Sequence, residues 1–329
     1  MHSRKLAPLL SVPDTHYFEY NEPVILESGK TLSGIRLAYT TCGDLNDTRT
    51  NVVWVFHALT ANANPVDWWS GLVGKGKTID TEHYYVICVN MPGSCYGSTE
   101  PESYDFPVIT IRDMVRCYQL LAAHLGIAQV HLGIGGSMGG QQLLEWAVTS
   151  PDFFKNVCVL ASNARHSAWG IAFNATQRMA LESTSGPEGL EVARAIALLS
   201  YRTQHTYRKT QTDFDERIDN FRAESYQRYQ GGKLSARFSP LSYWYLSKAM
   251  DSHNVGRGRG SVRKALKLIT ANTLIIALKG DLLFPIAEQL FLAKNIPGAR
   301  LEVVDSNYGH DGFLIETPAI GKLLNDFLS

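Results

Sequence analysis

One stretch of this chain, Val130 to Ala147 (VHLGIGGSMGGQQLLEWA), leaves few choices of fold. Val130 to Ile134 is an apolar run with His131 inside it and reads as a short buried strand. Gly135, Gly136, Ser137, Met138, Gly139 and Gly140 follow, and Gln141 to Thr149 then carries Leu143, Leu144 and Ala147 at helical spacing. Gly135, Ser137 and Gly139 satisfy G-x-S-x-G. Between a strand and a helix, that pattern holds the serine in a strained backbone position, with its Oγ projecting from the top of a sheet. The flanking glycines clear the space where strand end and helix start cross. The helix N-terminus also turns N–H groups toward negative charge formed at the serine. Ser137 is the expected nucleophile. The bland alternative, a glycine-rich turn with a solvent-facing serine, lacks a use for the strand and helix on either side.

The remaining segments fit a sheet built around that turn. Residues 17–26 and 32–41, joined by Ser28–Gly29–Lys30, read as an antiparallel edge hairpin. Residues 51–56 (NVVWVF) and 84–89 (YYVICV) are continuous apolar strands of the kind buried in parallel sheets. Residues 109–125 have helical spacing, and 156–161 is the next strand. This is βαβ traffic through a mostly parallel sheet. The long loop at 60–81 holds Trp68 and Trp69, which suit either a pocket wall or the apolar underside of an ordered loop.

From Asn163 to about Leu266 the β-branched runs vanish. Residues 173–182, 189–201, 214–230 and 242–250 are helix-like, with breaks at Gly231–Gly232 and at 255–260 (VGRGRG). The expected organisation is a core in two parts, 1–163 and 267–329, separated by a helical cap over 164–266. The sheet pattern returns at 272–278 and 299–304, with helices near 287–295 and 318–328.

A nucleophilic serine needs a base, and the base needs an orienting acid. In this architecture they follow in the order Ser, Asp or Glu, His, each just past a strand end. Asp281 (KGDLLFP) and His310 (SNYGHDGF) occupy those places. The oxyanion donors are expected to be the N–H groups of Met138 and Leu59. His57, beside that loop, is expected to shape it by hydrogen bonding. The GRGRG run lacks a preceding strand and a G-K-[ST] ending, which excludes a phosphate loop. Arg257 and Arg259 remain candidate contacts for a phosphate or carboxylate group or for the pocket, and Tyr201 is a further candidate pocket contact.

Acidic and basic residues balance at 31 each, so no nucleic acid or anionic surface is indicated. The N-terminal apolar patch is broken by Pro8 and Pro13, which does not suit a signal peptide, and no run reaches membrane-spanning length. Five scattered cysteines (42, 88, 95, 117 and 158) argue against a disulfide framework. No histidine–carboxylate spacing suggests a metal. These readings together favour a cytoplasmic enzyme with no bound cofactor.

Long strings extend the reading to a family. HALT at 57–60, WWSGLVG at 68–74, DFPVITIRDMV at 105–115 and GGSMGGQQLLEWA at 135–147 come in order. GLEVAR at 189–194, YQGGKLSARFSPLSYWYL at 229–246, SHNVGRGRG at 252–260 and YGHDGFLIE at 308–316 continue the series. Over nearly its whole length the chain resembles the homoserine O-acetyltransferase family of α/β-hydrolase-fold acyltransferases. The resemblance implies Ser137, Asp281 and His310 as triad, with Arg194 and Asp311 binding the amino-acid substrate. An amino acid needs a planar cation for its carboxylate and an acid for its ammonium group, which fits that assignment. Arg194 could instead reach solvent or pair with Glu191. The chain departs from the common pattern at 61–65, at 91–95 and in a short 179–189 segment.

The resemblance implies acetyl transfer from acetyl-CoA to L-homoserine through a serine acyl-enzyme, in methionine biosynthesis, by a homodimer joined through the cap. Succinyl-CoA as donor, L-serine as acceptor, and an esterase or thioesterase are the alternatives. A non-catalytic relative would be expected to lack a triad member.

Overall fold

Val52–Phe56 (β3) is five apolar residues, all buried, and its alternation explains the whole layering. Val52, Trp54 and Phe56 enter one core cluster, while Val53 and Val55 enter the other. A strand buried on both faces requires cover on both sides. The structure, a computed structural model, describes residues 14–184 and 186–329. The N-terminal reading around Pro8 and Pro13 lies outside the described residues.

The edge hairpin forms as expected, from β1 (Thr15–Ile25) and β2 (Thr31–Cys42), with a register shift between Tyr20 and Pro23. After β3 come a short helix α1 (Pro65–Trp68), β4 (Tyr85–Val89), α2 (Ile111–His124), β5 (Val130–Gly136), α3 (Met138–Thr149) and β6 (Phe154–Leu160). Helix α2 begins at a reciprocal cap: Thr110 Oγ1 accepts from the Asp113 N–H, and Asp113 accepts from the Thr110 N–H. The chain closes with β7 (Asn272–Lys279), and later β8 (Arg300–Asp305). The sheet order is β1-β2-β4-β3-β5-β6-β7-β8. Both β1–β2 and β2–β4 are antiparallel, and every other pairing is parallel. This is the mostly parallel α/β-hydrolase sheet.

Between β6 and β7 lies the helical insertion: α4 (Ala168–Glu182), α5 (Glu188–Tyr201), α6 (Gln204–Gln211), α7 (Arg222–Ser235), α8 (Pro240–Asp251) and α9 (Val262–Leu266). Two expectations are corrected here. Residues 214–221 are not helical: the acids at 213, 215 and 219 engage Arg217 and nearby backbone N–H groups instead, and Asn220 has φ 58°. Gly231–Gly232 does not break its helix. Helix α7 runs through it because a Cβ at Gly231 would stand 2.8 Å from the Glu191 carbonyl oxygen, so glycine there lets α5 and α7 meet closely. Beyond β7 come α10 (Ile286–Asn295), and after β8 a 3₁₀ turn at Gly309–Asp311, α11 (Gly312–Ile315) and α12 (Thr317–Leu328). No described helix is long and apolar enough to cross a membrane.

Candidate active site

The turn between β5 and α3 carries the strain that its glycines forecast. Ser137 has φ 56° and ψ −126°, a conformation rarely adopted outside glycine. A Cβ at Gly135 would come 2.6 Å from the Gly139 carbonyl carbon, and one at Gly139 would strike the Phe56 backbone. The turn is also seated from behind. Ser162 Oγ donates to the Ser137 carbonyl at 2.8 Å, and Gln289 Nε2 donates to the Ser162 carbonyl at 2.7 Å.

Three side chains from separate strand ends meet in line. His310 Nε2 lies 2.9 Å from Ser137 Oγ, and His310 Nδ1 lies 2.7 Å from Asp281 Oδ2. Asp281 Oδ1 accepts the N–H groups of Leu283 and Phe284, each at 2.8 Å. All three residues are buried. The imidazole is held among rings: Phe284 stacks at 5.2 Å between centroids, with Phe313 at 5.4 Å and Tyr201 at 5.6 Å. A base whose far nitrogen is tied to a buried carboxylate keeps its near nitrogen free to accept a proton.

Leu59 and Met138 flank the serine, and neither backbone N–H finds a protein acceptor among the described residues. Unpaired N–H groups at such a place suit a developing oxyanion. His57 organises that loop as expected. Its Nε2 accepts the Met91 N–H at 3.2 Å, so Nδ1 carries the proton and donates to the Ala58 carbonyl at 2.9 Å. Burial holds its pKa down to about 4, so it is neutral at physiological pH. Gln142 links α3 to the same loop through the His57 carbonyl.

A cavity of about 400 Å³ opens over Ser137 and His310, bounded by residues 58–62 together with Trp68, Arg194, Tyr201 and Asp311. The two tryptophans divide their tasks. Trp68 lines the cavity, whereas Trp69 is buried and donates to the Phe313 carbonyl at 2.9 Å. Of the three departing stretches, the one at 61–65 reaches the cavity through Ala61 and Asn62, while 91–95 meets it only next door, at Tyr96. Arg194 does not pair with Glu191, whose carboxylate accepts from Ser235 Oγ. Its guanidinium lies 5.4 Å from the Tyr201 ring centroid and has no carboxylate partner among the described residues. Asp311 does have a partner, Arg202 Nε at 3.0 Å.

Arg257 and Arg259 are not at this cavity, which corrects the expectation for the GRGRG run. Arg257 pairs with Glu27 at 2.8 Å, and Arg259 pairs with the buried Glu145 at 2.7 Å, which Arg112 also holds. Buried Glu145 and half-buried Glu27 recruit these cations into a strut between the core and the end of the cap. Sequence reasoning missed Arg202, Lys233 and Arg237. Lys233, in the last turn of α7, and Arg237, two residues past its end, line the cavity four residues apart, a spacing visible in YQGGKLSARF. Arg202 adjoins Tyr201 in sequence but shows its role only through Asp311. A second hollow of about 560 Å³ near Arg165, Ile171 and Glu288 is lined by none of Ser137, Asp281 and His310. Among the described residues no cluster of three or more His, Cys, Asp or Glu is placed to hold a metal ion.

Comparison with known proteins agrees with this architecture. A family model described as the alpha/beta hydrolase fold matches residues 51–317. A homoserine O-acetyltransferase of Cyclobacterium marinum is 45% identical over 341 aligned residues, covering 98% of this chain and 97% of the relative. The crystal structure of a homoserine O-acetyltransferase from Staphylococcus aureus superposes with a TM-score of 0.84 at 30% identity, covering 96% of each chain. The crystal structure of an esterase E22 variant (L374D) superposes with a TM-score of 0.88 at 21% identity over 96% of this chain and 99% of that one, a likeness of fold alone.

Proposed function

The chain belongs to the homoserine O-acetyltransferase family within the α/β-hydrolase superfamily, and we propose that it moves an acetyl group from acetyl-CoA to L-homoserine through an acyl-enzyme on Ser137. The observation that carries the reading is the Asp281–His310–Ser137 line opening into a cavity that also holds Arg194 and Asp311.

In the first half, His310 Nε2 takes the Ser137 proton as Oγ attacks the thioester carbonyl. The N–H groups of Leu59 and Met138 stabilise the tetrahedral oxyanion, and CoA leaves as thiol with the proton from His310. In the second half, His310 takes the proton of the γ-hydroxyl of homoserine. The alkoxide attacks the acyl-enzyme, and the proton returns to Ser137 as O-acetyl-L-homoserine departs. Arg194 receives the acceptor's carboxylate and Asp311 its ammonium group. Tyr201 packs beside Arg194 and forms part of the wall. Acetyl-CoA enters as co-substrate, and no bound cofactor takes part.

Purified protein assayed with acetyl- and succinyl-CoA against L-homoserine and L-serine tests the reading directly. Parallel initial-rate lines with acetyl-CoA and homoserine, and an acetylated Ser137 by mass spectrometry, are expected. Intersecting lines without an acyl-enzyme overturn the two-step scheme, and CoA release that homoserine does not divert from hydrolysis identifies an esterase.

The assembly part of the reading is a homodimer joined through the 164–266 cap, set on a core of 1–163 and 267–329. Exposed apolar side chains on that cap, including Met179, Val192, Leu199, Phe214 and Ile218, support it. A molar mass near 36.5 kDa in solution at micromolar concentration refutes it. A cytoplasmic location is in keeping with the five free cysteines.

A further inference from the structure

Two arginines stand near the acidic end of the cavity, and they differ in what they hold. Arg194 faces the cavity with no carboxylate partner among the described residues, beside the Tyr201 ring. Arg202, the residue that ends helix α5, is bound to Asp311 through Nε at 3.0 Å, with its side chain 25% and that of Asp311 15% exposed. The backbone keeps Arg202 in place: its N–H donates to the Leu198 carbonyl at 3.1 Å. The ring of Tyr226, from helix α7, lies 5.8 Å from its guanidinium carbon. The cation is thus braced by two cap helices while Asp311 belongs to the core segment that carries His310.

We infer that Arg202 is a positioning residue that holds Asp311 Oδ2, so that the other carboxylate oxygen meets the acceptor's ammonium group and Asp311 does not close onto Arg194. This rests on the role proposed above for Asp311. The physical reason is competition. A carboxylate sharing a partly desolvated cavity with an unpaired guanidinium is drawn to it, and such a pair would occupy both ends of an amino-acid clamp at once. A second, fixed arginine on the outer side satisfies the carboxylate without using Arg194. It also leaves Asp311 its negative charge and one oxygen, so the ammonium group still has a partner.

The inference separates acceptor recognition from acylation, since neither Ser137 nor His310 touches Arg202. Arg202→Met and Arg202→Lys are compared with the parent enzyme in three measurements. These are burst acylation by acetyl-CoA, kcat/KM for L-homoserine, and kcat/KM for 4-hydroxybutyrate, which keeps the hydroxyl and carboxylate but lacks the ammonium group. For Arg202→Met the burst is expected to persist, while the preference for homoserine over 4-hydroxybutyrate falls at least tenfold. Arg202→Lys should restore part of that preference. An unchanged preference overturns the inference. So does an equal loss with both acceptors together with a lost burst, which marks a mere strut. Asp311→Asn run in the same assay tells the two failures apart. If it too leaves the preference unchanged, the proposed role of Asp311 fails; if it alone lowers the preference, only the role of Arg202 fails.

Discussion

Asp281 meets His310 with one oxygen, Oδ2 at 2.7 Å from Nδ1, and gives the other to the N–H groups of Leu283 and Phe284. The carboxylate is therefore fixed by the loop that supplies it before it fixes the imidazole. Asp281→Asn preserves shape but can present an N–H to Nδ1, favouring the tautomer with the proton on Nε2. A loss in kcat of roughly 10³–10⁴-fold is expected, with the fold intact by circular dichroism. A loss below tenfold removes Asp281 from the reaction.

Gly139→Ala probes the turn itself. The added methyl has nowhere to go but into the Phe56 backbone, which is the strand end leading into the Leu59 loop. Overpacking of this kind costs about 1–3 kcal/mol, and displacing the nucleophile by about an ångström costs on the order of 100-fold in rate. Thermal melting and burst acylation should both fall. An unaltered burst contradicts the crowding.

Arg194→Leu should leave acylation by acetyl-CoA at its normal amplitude and weaken the second step. Removing one partner of a buried charged pair costs roughly 2–5 kcal/mol, or about 30-fold and upward in kcat/KM for homoserine. A normal burst with normal homoserine kcat/KM places Arg194 outside the acceptor site, and a lost burst in folded protein assigns it to the donor.

Three buried histidines give stability a pH dependence of definite sign. Desolvation holds His57 and His166 down to about 4 and His253 down to about 3, against about 6.5 in the unfolded chain. Below pH 6.5 the unfolded state binds more protons, so this stabilisation is complete above 6.5 and is lost as pH falls toward the native values. Each proton is worth about 1.4 kcal/mol per pH unit. The melting temperature should drop steeply between pH 6.5 and 5. His253→Asn, which replaces a ring whose Nδ1 has no partner among the described residues, should flatten that slope by about a third. A melting temperature level from pH 7.5 to 5 contradicts the assignment.

Arg259→Ala separates a strut from a substrate contact. It removes one of two cations on buried Glu145, and charged hydrogen bonds of this kind are each worth about 1.5–3 kcal/mol. Lower thermal stability with an unchanged KM for acetyl-CoA is expected. A raised KM at normal stability returns Arg259 to the donor site.

Most of the frame was legible because its signals are local. A strand buried on both faces must be apolar throughout, as 52–56 and 274–278 are, and a serine turn needs its glycines at fixed offsets. Ser137, Asp281 and His310 followed because chain order and strand ends constrain where a base and its acid can stand. What the chain could not announce were properties of pairs distant in sequence. Gly231–Gly232 looks like a helix break until Glu191 is seen against it. Arg257 and Arg259 look like anion contacts until Glu27 and Glu145 arrive from elsewhere in the fold. Arg202 and Arg194 lie in the same short segment, and only tertiary structure ties one to Asp311 while leaving the other facing the cavity. Period, propensity and turn chemistry are written residue by residue, so sequence alone determined most of the elements and the chain order of the candidate triad residues. Which charge meets which depends on where the whole chain folds back, and that the tertiary structure decided.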